Sequence, residues 1–208
     1  ETPPDHEWPT HGGDLASTRY APLDQIDASN FDELEVAWRF KTDNLGPGPE
    51  FKLEGTPLMV GGVLYFNTPL SQGVAVDAAT GKTLWVFNPK SYEEGTTPMT
   101  GTWRQRGVAY WTDGVGDERI FWGTGGGYLV CVDAQTGQPC AGFGPDGSGM
   151  VDAMVGVPRA VREDRDYLNA LLYGIHSPPI VVRDKVIHGS QVADRRITKE
   201  AVPGWVRA

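Results

Sequence analysis

The sequence predicts an all-β fold built from repeated sheets, the blades of a β-propeller, and three observations support this prediction. Residues 73–85 read as a strand, an Asp-Ala-Ala-Thr-Gly turn and a second strand that ends at Trp85. The turn returns as Asp-Ala-Gln-Thr-Gly at 133–137, and the distance between the copies suits propeller blades. The chain also has 27 glycines and 16 prolines among 208 residues, which favours short strands and turns. Two unrelated hairpins in a β-sandwich are the alternative.

The first elements follow from local pattern. A short helix is predicted at 27–34, because Ser29 or Asn30 can cap it and acidic residues fill its first turn. Residues 35–41 alternate apolar and polar side chains, as a half-buried strand does. Residues 56–66 predict two strands around a Gly-Gly turn, and the proline near their start removes no ladder hydrogen bond there.

Later elements repeat this arrangement. Strands are predicted at 106–111 and 119–123, and a run of three glycines turns the chain into a further strand at 128–133. Residues 177–188 echo the earlier hairpin, with a small residue, proline, an apolar strand, a turn and an apolar strand. Residues 204–208 match 73–76 loosely, so a third copy of the repeat begins there.

Composition excludes some partners and leaves one covalent question open. The net charge of −9, with no basic cluster, disfavours nucleic acid and anionic lipid. No run of 18 apolar residues exists, so no bilayer span is predicted, and the Glu-Thr-Pro-Pro start is typical of a trimmed, exported protein. Cys131 and Cys140 bracket the second turn, either as a disulfide or as two buried thiols. A disulfide implies an oxidising compartment.

Polar residues at the ends of apolar strands are the candidate functional groups. Glu54, Arg106, His176 and Asp194 each occupy such a position. In a propeller these strand ends converge on one funnel, where an arginine suits a ligand carboxylate and an aspartate suits a hard cation. The alternative for each is a solvated loop charge, and it is favoured for Glu54 or Asp194 taken alone. No nucleophile elbow, P-loop or dinucleotide fingerprint is present.

Several motifs carry a family resemblance. Residues 8–26, Arg106-Gly-Val-Ala-Tyr, Ser177-Pro-Pro-Ile-Val-Val and both Asp-Ala-x-Thr-Gly turns stand in the order typical of one family. The chain resembles the quinoprotein dehydrogenases that use pyrroloquinoline quinone (PQQ), over essentially residues 8–208. Trp85 is similar to the tryptophan-docking motif that joins neighbouring blades in that family.

The resemblance implies an eight-bladed propeller with PQQ and a metal, calcium or a lanthanide, in the axial funnel. Arg106 is expected to pair with a PQQ carboxylate, and Glu54 to lie beside the cofactor. The 189–194 stretch matches the loop that lines PQQ. The further residues the resemblance implies are His176 near the quinone, Ser190 and Gln191 as lining residues, and Asp194 as the metal ligand.

Two departures from the family pattern refine the expectation. The alcohol-oxidising branch usually has adjacent cysteines shortly before the arginine, whereas residues 100–103 contain none, so the chain is more similar to the membrane-type glucose dehydrogenase branch. Eight blades also need more than 208 residues. Residues 1–208 are therefore expected to be the N-terminal blades of a single propeller, with the catalytic aspartate, and so every catalytic residue, beyond Ala208.

The expected function is periplasmic oxidation of an alcohol or sugar hydroxyl by hydride transfer to the quinone. The expected partners are the C-terminal remainder of the propeller, from the same gene or a separate chain, a small alcohol or sugar, and a quinone or cytochrome electron acceptor. The chain is not expected to be active alone. A non-catalytic periplasmic propeller scaffold is the alternative, and it would lack the funnel charges.

Overall fold

The computed structural model describes residues 7–42, 53–91, 105–158, 173–191 and 202–208. Short strands and turns dominate these ranges, with two 3₁₀ turns, Phe31–Glu33 and Pro145–Gly147. The strands are β1 Leu53–Thr56, β2 Leu58–Val60, β3 Val63–Asn67, β4 Gly73–Asp77, β5 Thr83–Phe87, β6 Gln105–Gly107, β7 Ala109–Thr112, β8 Glu118–Gly123, β9 Tyr128–Asp133, β10 Met150–Asp152, β11 Ile180–Val182, β12 Lys185–Gly189 and β13 Val206–Arg207.

Three antiparallel sheets follow one another along the chain. β2, β3, β4 and β5 form the first blade and β7, β8, β9 and β10 the second, each with neighbours in chain order. β11, β12 and β13 form a three-stranded third sheet, so the expected start of a third repeat at 204–208 does contribute a strand. Meandering four-stranded sheets that succeed one another are the units of a propeller.

The two Asp-Ala-x-Thr-Gly turns are near copies. The Asp77 carboxylate accepts bonds from the Thr80 backbone N–H at 2.8 Å and from its hydroxyl at 2.6 Å. Asp133 and Thr136 make the same bonds at 2.7 Å and 2.6 Å. Each turn closes on a glycine in the left-handed region, where a side chain would be strained. The turn chemistry predicted from the sequence is confirmed.

An apolar cluster fills the space between the first and second blades. Tyr65 and Ala75 of the first blade contact a layer that includes Ile120, Trp122 and Val130 of the second. All five are buried. Because neighbouring blades share this core, the two sheets stabilise each other.

Two tryptophans pack on the Asp-Ala-x-Thr-Gly turns, Trp85 from the first blade and Trp38 from the segment before it. Trp85 Nε1 donates to the Ala134 carbonyl at 2.8 Å, and a Cβ on Gly137 would lie only 2.6 Å from the Trp85 ring. Trp38 Nε1 makes the equivalent bond to the Ala78 carbonyl at 3.0 Å. Each indole thus packs on the Asp-Ala-x-Thr-Gly turn that follows it in the chain.

Cys131 and Cys140 are bonded to each other, which decides the alternative left open by the sequence. Their Cα atoms are 5.5 Å apart, and the Cys140 backbone N–H donates to the Cys131 carbonyl. Both residues are buried beside Phe121 and Phe143. The segment that follows the second turn is therefore joined to β9 covalently as well as by hydrogen bonds.

The N-terminal region differs from the expectation at two places. The predicted helix at 27–34 is only the 3₁₀ turn Phe31–Glu33, and the Asn30 side chain does not cap it. Instead Asn30 Oδ1 accepts from the Asp27 N–H, and the Asp27 carboxylate binds Ser29, local bonds that compete with a helix. Residues 35–41 form no strand with any described residue; their aromatic side chains pack on the first blade instead.

The predicted strand at 106–111 is divided at Val108. β6 pairs with β1, before the first blade, whereas β7 pairs with β8 of the second blade. Val108 between them is 1% exposed. No helix in the described ranges is long and apolar enough to span a membrane.

Candidate functional site

The candidate site lies on the segments that lead into the three sheets. We call them the lead-in segments: β1 before the first blade, β6 before the second, and residues 174–176 before the third sheet. β1 and β6 pair in parallel, and the Arg106 N–H donates to the His176 carbonyl at 3.0 Å. Hydrogen bonds therefore run from each lead-in segment to the next, and in a radial arrangement such segments lie nearest the axis.

Glu54 and Arg106 face each other across the first pair of lead-in segments. Leu53 is opposite Gln105 and Thr56 is opposite Gly107, so β1 has one residue more than β6 over this stretch, as in a β-bulge. Along β6, Gln105 and Gly107 are buried and Arg106 between them is exposed. The alternation of side chains along a strand thus turns Arg106 away from the core.

The contact between these two side chains is loose. Arg106 Nε lies 3.9 Å from Glu54 Oε2, and the side chains are 52% and 39% exposed. An ion pair this exposed stabilises the fold by about 1 kcal/mol or less. Within the described ranges the Arg106 guanidinium makes no hydrogen bond, so its donors remain available to an anionic ligand.

His176 lies on the third lead-in segment. Its backbone is fixed on both sides: its carbonyl accepts from Arg106, and the preceding Ile175 N–H donates to the Thr124 carbonyl at 3.0 Å. Its ring is half-buried and lies close to Gly174, where a Cβ would come within 3.1 Å of Nε2. The structure therefore brings three of the predicted residues, Glu54, Arg106 and His176, onto adjacent segments.

The 189–191 loop lies beside the third lead-in segment. Gln191 and Gly174 exchange two backbone hydrogen bonds, at 3.1 Å and 2.7 Å. The Ser190 hydroxyl binds Trp205, the residue before β13, accepting from its N–H at 2.8 Å and donating to its carbonyl at 3.0 Å. The Ser190 hydroxyl thus holds the edge of the third sheet. Asp194 lies outside the described residues.

Three buried polar side chains behind the site were missed by sequence reasoning. Asn67, Ser71 and Gln105 are each at most 1% exposed. Asn67 Nδ2 donates to the Gly107 carbonyl at 3.1 Å and lies 3.1 Å from the Gln105 amide, which in turn lies 3.1 Å from Ser71 Oγ. The signal was an amide directly after the apolar run of β3, at a position a core strand fills with an apolar residue.

Gln105 has two ways to satisfy its amide. With Oε1 toward Asn67 it accepts from that side chain; turned over, its nitrogen donates to the Gly123 carbonyl at 3.0 Å. The bond from Asn67 to the Gly107 carbonyl is common to both. In both orientations the amide links β6 to the β3–β4 connection through Ser71. In the second orientation it also links β6 to the second blade.

The donor set fits an anionic, carboxylate-bearing ligand better than it fits a metal. A guanidinium presents a planar fork of donors that matches a carboxylate. By contrast, the described ranges hold no group of three or more His, Cys, Asp or Glu side chains that could bind a metal ion. The Arg106 guanidinium therefore fits a carboxylate of a cofactor such as PQQ, whereas the Glu54 carboxylate contacts the guanidinium and would repel a second anion.

Comparison with known proteins identifies the family to which the chain belongs. The family model described as "PQQ: Glucose/ethanol/alcohol dehydrogenase, beta-propeller domain" matches residues 8–208. The quinoprotein glucose dehydrogenase of Gluconobacter oxydans (strain 621H) is 33% identical over 95% of this chain and 25% of its own length. The dehydrogenase subunit of the alcohol dehydrogenase (quinone) from the same organism is 38% identical over 64% of this chain and 16% of its own length.

Solved structures give the same result. The crystal structure of the quinohemoprotein alcohol dehydrogenase from Comamonas testosteroni matches with a TM-score of 0.65 and 27% sequence identity, over 96% of this chain and 25% of that one. The chain thus spans a quarter or less of the length of these relatives. Its sheets, its matched residues and its relatives agree, and the chain belongs to the β-propeller family of the PQQ-dependent glucose, ethanol and alcohol dehydrogenases.

Proposed function

We propose that this chain supplies part of the cofactor funnel of a PQQ- and metal-dependent dehydrogenase that oxidises an alcohol or sugar hydroxyl. The observation that carries the proposal is the half-exposed pair of Arg106 and Glu54 on adjacent lead-in segments. A non-catalytic propeller scaffold has no need of an arginine with unused donors at this place. Family membership supports the same reaction class.

Arg106 is proposed to hold a carboxylate of the cofactor. Its contact with Glu54 is long and solvated, so a ligand carboxylate in bidentate geometry gains more from the guanidinium than Glu54 does. Glu54 then limits the directions that the guanidinium can take. His176 is proposed to border the quinone, because its lead-in segment is hydrogen-bonded to the one that carries Arg106.

Bound PQQ supplies a quinone that accepts the hydride from the hydroxyl-bearing carbon of the substrate. The residues of this chain bind and orient; none of them is proposed to move the substrate proton, and the general base is expected outside the 208 residues. Gln191 is proposed to line the cofactor. The metal, calcium or a lanthanide, is proposed to bind with Asp194, whose structure is not described.

We further propose eight blades joined by tryptophan-docking contacts, of which Trp85 and Trp38 supply two. The relatives are about four times longer than the aligned part of this chain, which supports additional blades. The exposed apolar surface also supports additional blades, because several large apolar side chains are more than half exposed. They are Leu15, Tyr20, Leu23, Ile26, Phe31, Leu34 and Val36 near the N-terminus, and Ile180 and Val206 in the third sheet. Further blades, from the same gene or a separate chain, are the proposed cover.

The proposed compartment is the periplasm. The bond between Cys131 and Cys140 supports it, since disulfides persist in oxidising compartments. A quinone or a cytochrome is the proposed electron acceptor, and a small alcohol or sugar the proposed substrate.

The proposal is tested by PQQ binding. The full-length protein is prepared without cofactor, with wild-type sequence or with Arg106→Ala, and titrated with PQQ while quinone absorbance and tryptophan fluorescence are followed. Loss of a charge-assisted pair is worth about 1.5 to 3 kcal/mol, so the Kd is expected to rise about 10-fold to 150-fold. Arg183→Gln, an exposed arginine on the β11–β12 turn, is the control and keeps the wild-type Kd. Equal binding by Arg106→Ala and wild type would contradict the proposal.

A further inference from the structure

Asn67 is a buried amide in a position where the fold alone asks for an apolar residue. It ends β3 after the apolar run Val63–Phe66 and is 0% exposed. Burying an amide is unfavourable unless it is hydrogen-bonded. Its Nδ2 donates to the Gly107 carbonyl at 3.1 Å and, in one orientation of Gln105, to Oε1 of that residue at 3.1 Å. Both partners are the immediate neighbours of Arg106 in β6.

The other atom of the same amide lies against the opposite segment. Asn67 Oδ1 is buried and accepts no hydrogen bond within the described ranges. A Cβ built on Gly55 would lie 3.3 Å from Oδ1 and 3.5 Å from the Gly107 nitrogen. Gly55 directly follows Glu54, so the Asn67 side chain is hydrogen-bonded beside Arg106 on one strand and lies near the residue after Glu54 on the other.

This arrangement is hard to explain by stability alone. A buried acceptor without a donor is unfavourable, and native proteins keep few such atoms. Gly55 also permits this approach, because a Cβ at that position would lie 3.3 Å from Oδ1, closer than ordinary van der Waals contact. The amide lies beside the bulged pairing of β1 with β6, which carries the contact between the Glu54 and Arg106 side chains.

We propose that Asn67 is a positioning residue for the cofactor site, acting through Arg106 and Glu54. It holds the Gly107 carbonyl, and with it the strand that turns the Arg106 side chain away from the core. It also keeps the Glu54–Gly55 backbone at a fixed distance on the other side. This inference rests on the proposed function, since it assigns Asn67 to the same site.

The test compares two buried variants from one connection. Asn67→Ala removes the amide without adding bulk or charge. The matched control is Thr68→Val, which removes a fully buried hydroxyl that is bonded to Gln72 at 3.1 Å and makes no hydrogen bond to β6 within the described ranges. Both are made in the full-length protein without cofactor. For each, the free energy of unfolding, the PQQ Kd and the hydrogen exchange of the Arg106 amide are measured.

The expected result separates positioning from general stability. Asn67→Ala weakens PQQ binding about 10-fold, whereas Thr68→Val stays within about 2-fold of wild type. Because Asn67 acts through Arg106, Asn67→Ala adds little further loss in an Arg106→Ala background, as interacting positions are non-additive. The Arg106 amide, which donates to the His176 carbonyl, exchanges faster in Asn67→Ala only.

Two results would overturn the inference. One is equal weakening of PQQ binding by Asn67→Ala and Thr68→Val; the other is a full, additive loss in the double variant. If the wild-type protein binds no PQQ, the proposed function fails, and the positioning role is then decided by exchange of the Arg106 amide. Unchanged exchange in Asn67→Ala would exclude it.

Discussion

The hydrogen bond of Trp85 to the next blade leads to a prediction about stability. Trp85→Phe keeps an aromatic ring against Tyr65 but removes the indole N–H that donates to the Ala134 carbonyl at 2.8 Å. That carbonyl stays buried between two blades. Loss of a buried hydrogen bond with one partner left unsatisfied costs about 1 to 3 kcal/mol. Trp85→Phe is expected to destabilise the protein by this amount beyond the loss of ring area.

Trp8 provides the matched control. Its Nε1 is buried but finds no hydrogen-bond acceptor in the described ranges, and its ring packs against the same apolar cluster. Trp8→Phe therefore loses a similar ring area and no hydrogen bond. The difference between the two variants therefore contains the bond from Trp85 to Ala134, together with the relief of the unpaired Trp8 N–H.

The assay is thermal and urea unfolding of both variants beside wild type. Both variants are made in the full-length protein, and Trp85→Phe should be less stable than Trp8→Phe by about 1 to 3 kcal/mol, with a lower Tm. If the two variants agree within about 0.5 kcal/mol, the smallest effect that such measurements resolve, the bond between blades contributes nothing measurable and the reasoning is wrong.

Three further predictions concern the second blade and the turns. Gly137→Ala places a Cβ 2.6 Å from an indole carbon and should destabilise the fold by about 1 to 3 kcal/mol more than Gly61→Ala, which meets nothing within 4 Å, in urea unfolding; equal losses would contradict this. Replacing both Cys131 and Cys140 by Ser should cost about 2 to 3 kcal/mol, and wild type, but not this variant, should lose Tm under reducing agent; no difference under reduction refutes it. Hydrogen bonds from Thr80 hold the pKa of Asp77 below its ordinary value of 3.8. The stability that this carboxylate contributes is therefore present above pH 3.8 and is lost as the pH falls through the lowered pKa. Asp77→Asn should reduce this loss of stability in acid, and an unchanged acid unfolding profile would count against the prediction.

Local turn chemistry was the most predictable part of the fold. Asp77, Thr80 and the glycine after them form one self-contained turn, so the sequence alone carries the information. The short helix was not predictable in the same way, because the side chains of Asp27 and Asn30 bond locally and stop it after one 3₁₀ turn. Whether Cys131 and Cys140 pair depended on register across a turn, which sequence pattern leaves open.

The candidate site was predictable only in part, for a similar reason. Charged residues that precede apolar strands suggested convergence, and the structure does bring Glu54, Arg106 and His176 onto adjacent lead-in segments. The looseness of the ion pair depends on how β1 pairs with β6, and the bond from Ser190 to Trp205 depends on how β12 pairs with β13. Asn67 escaped notice because its partners lie about forty residues away, and no local pattern marks such a bond.

The parallel pairing of β1 with β6, continued by the bond from Arg106 to His176, joins the lead-in segments to one another by hydrogen bonds that do not involve the outer strands of the sheets. Each outer strand and connecting turn can change in length or sequence while the lead-in segments keep their register. Such a division would let docking faces and substrate access change without moving the groups that are proposed to hold the ligand. A family that acts on many different hydroxyl compounds can diversify its periphery on this plan while its centre stays constant.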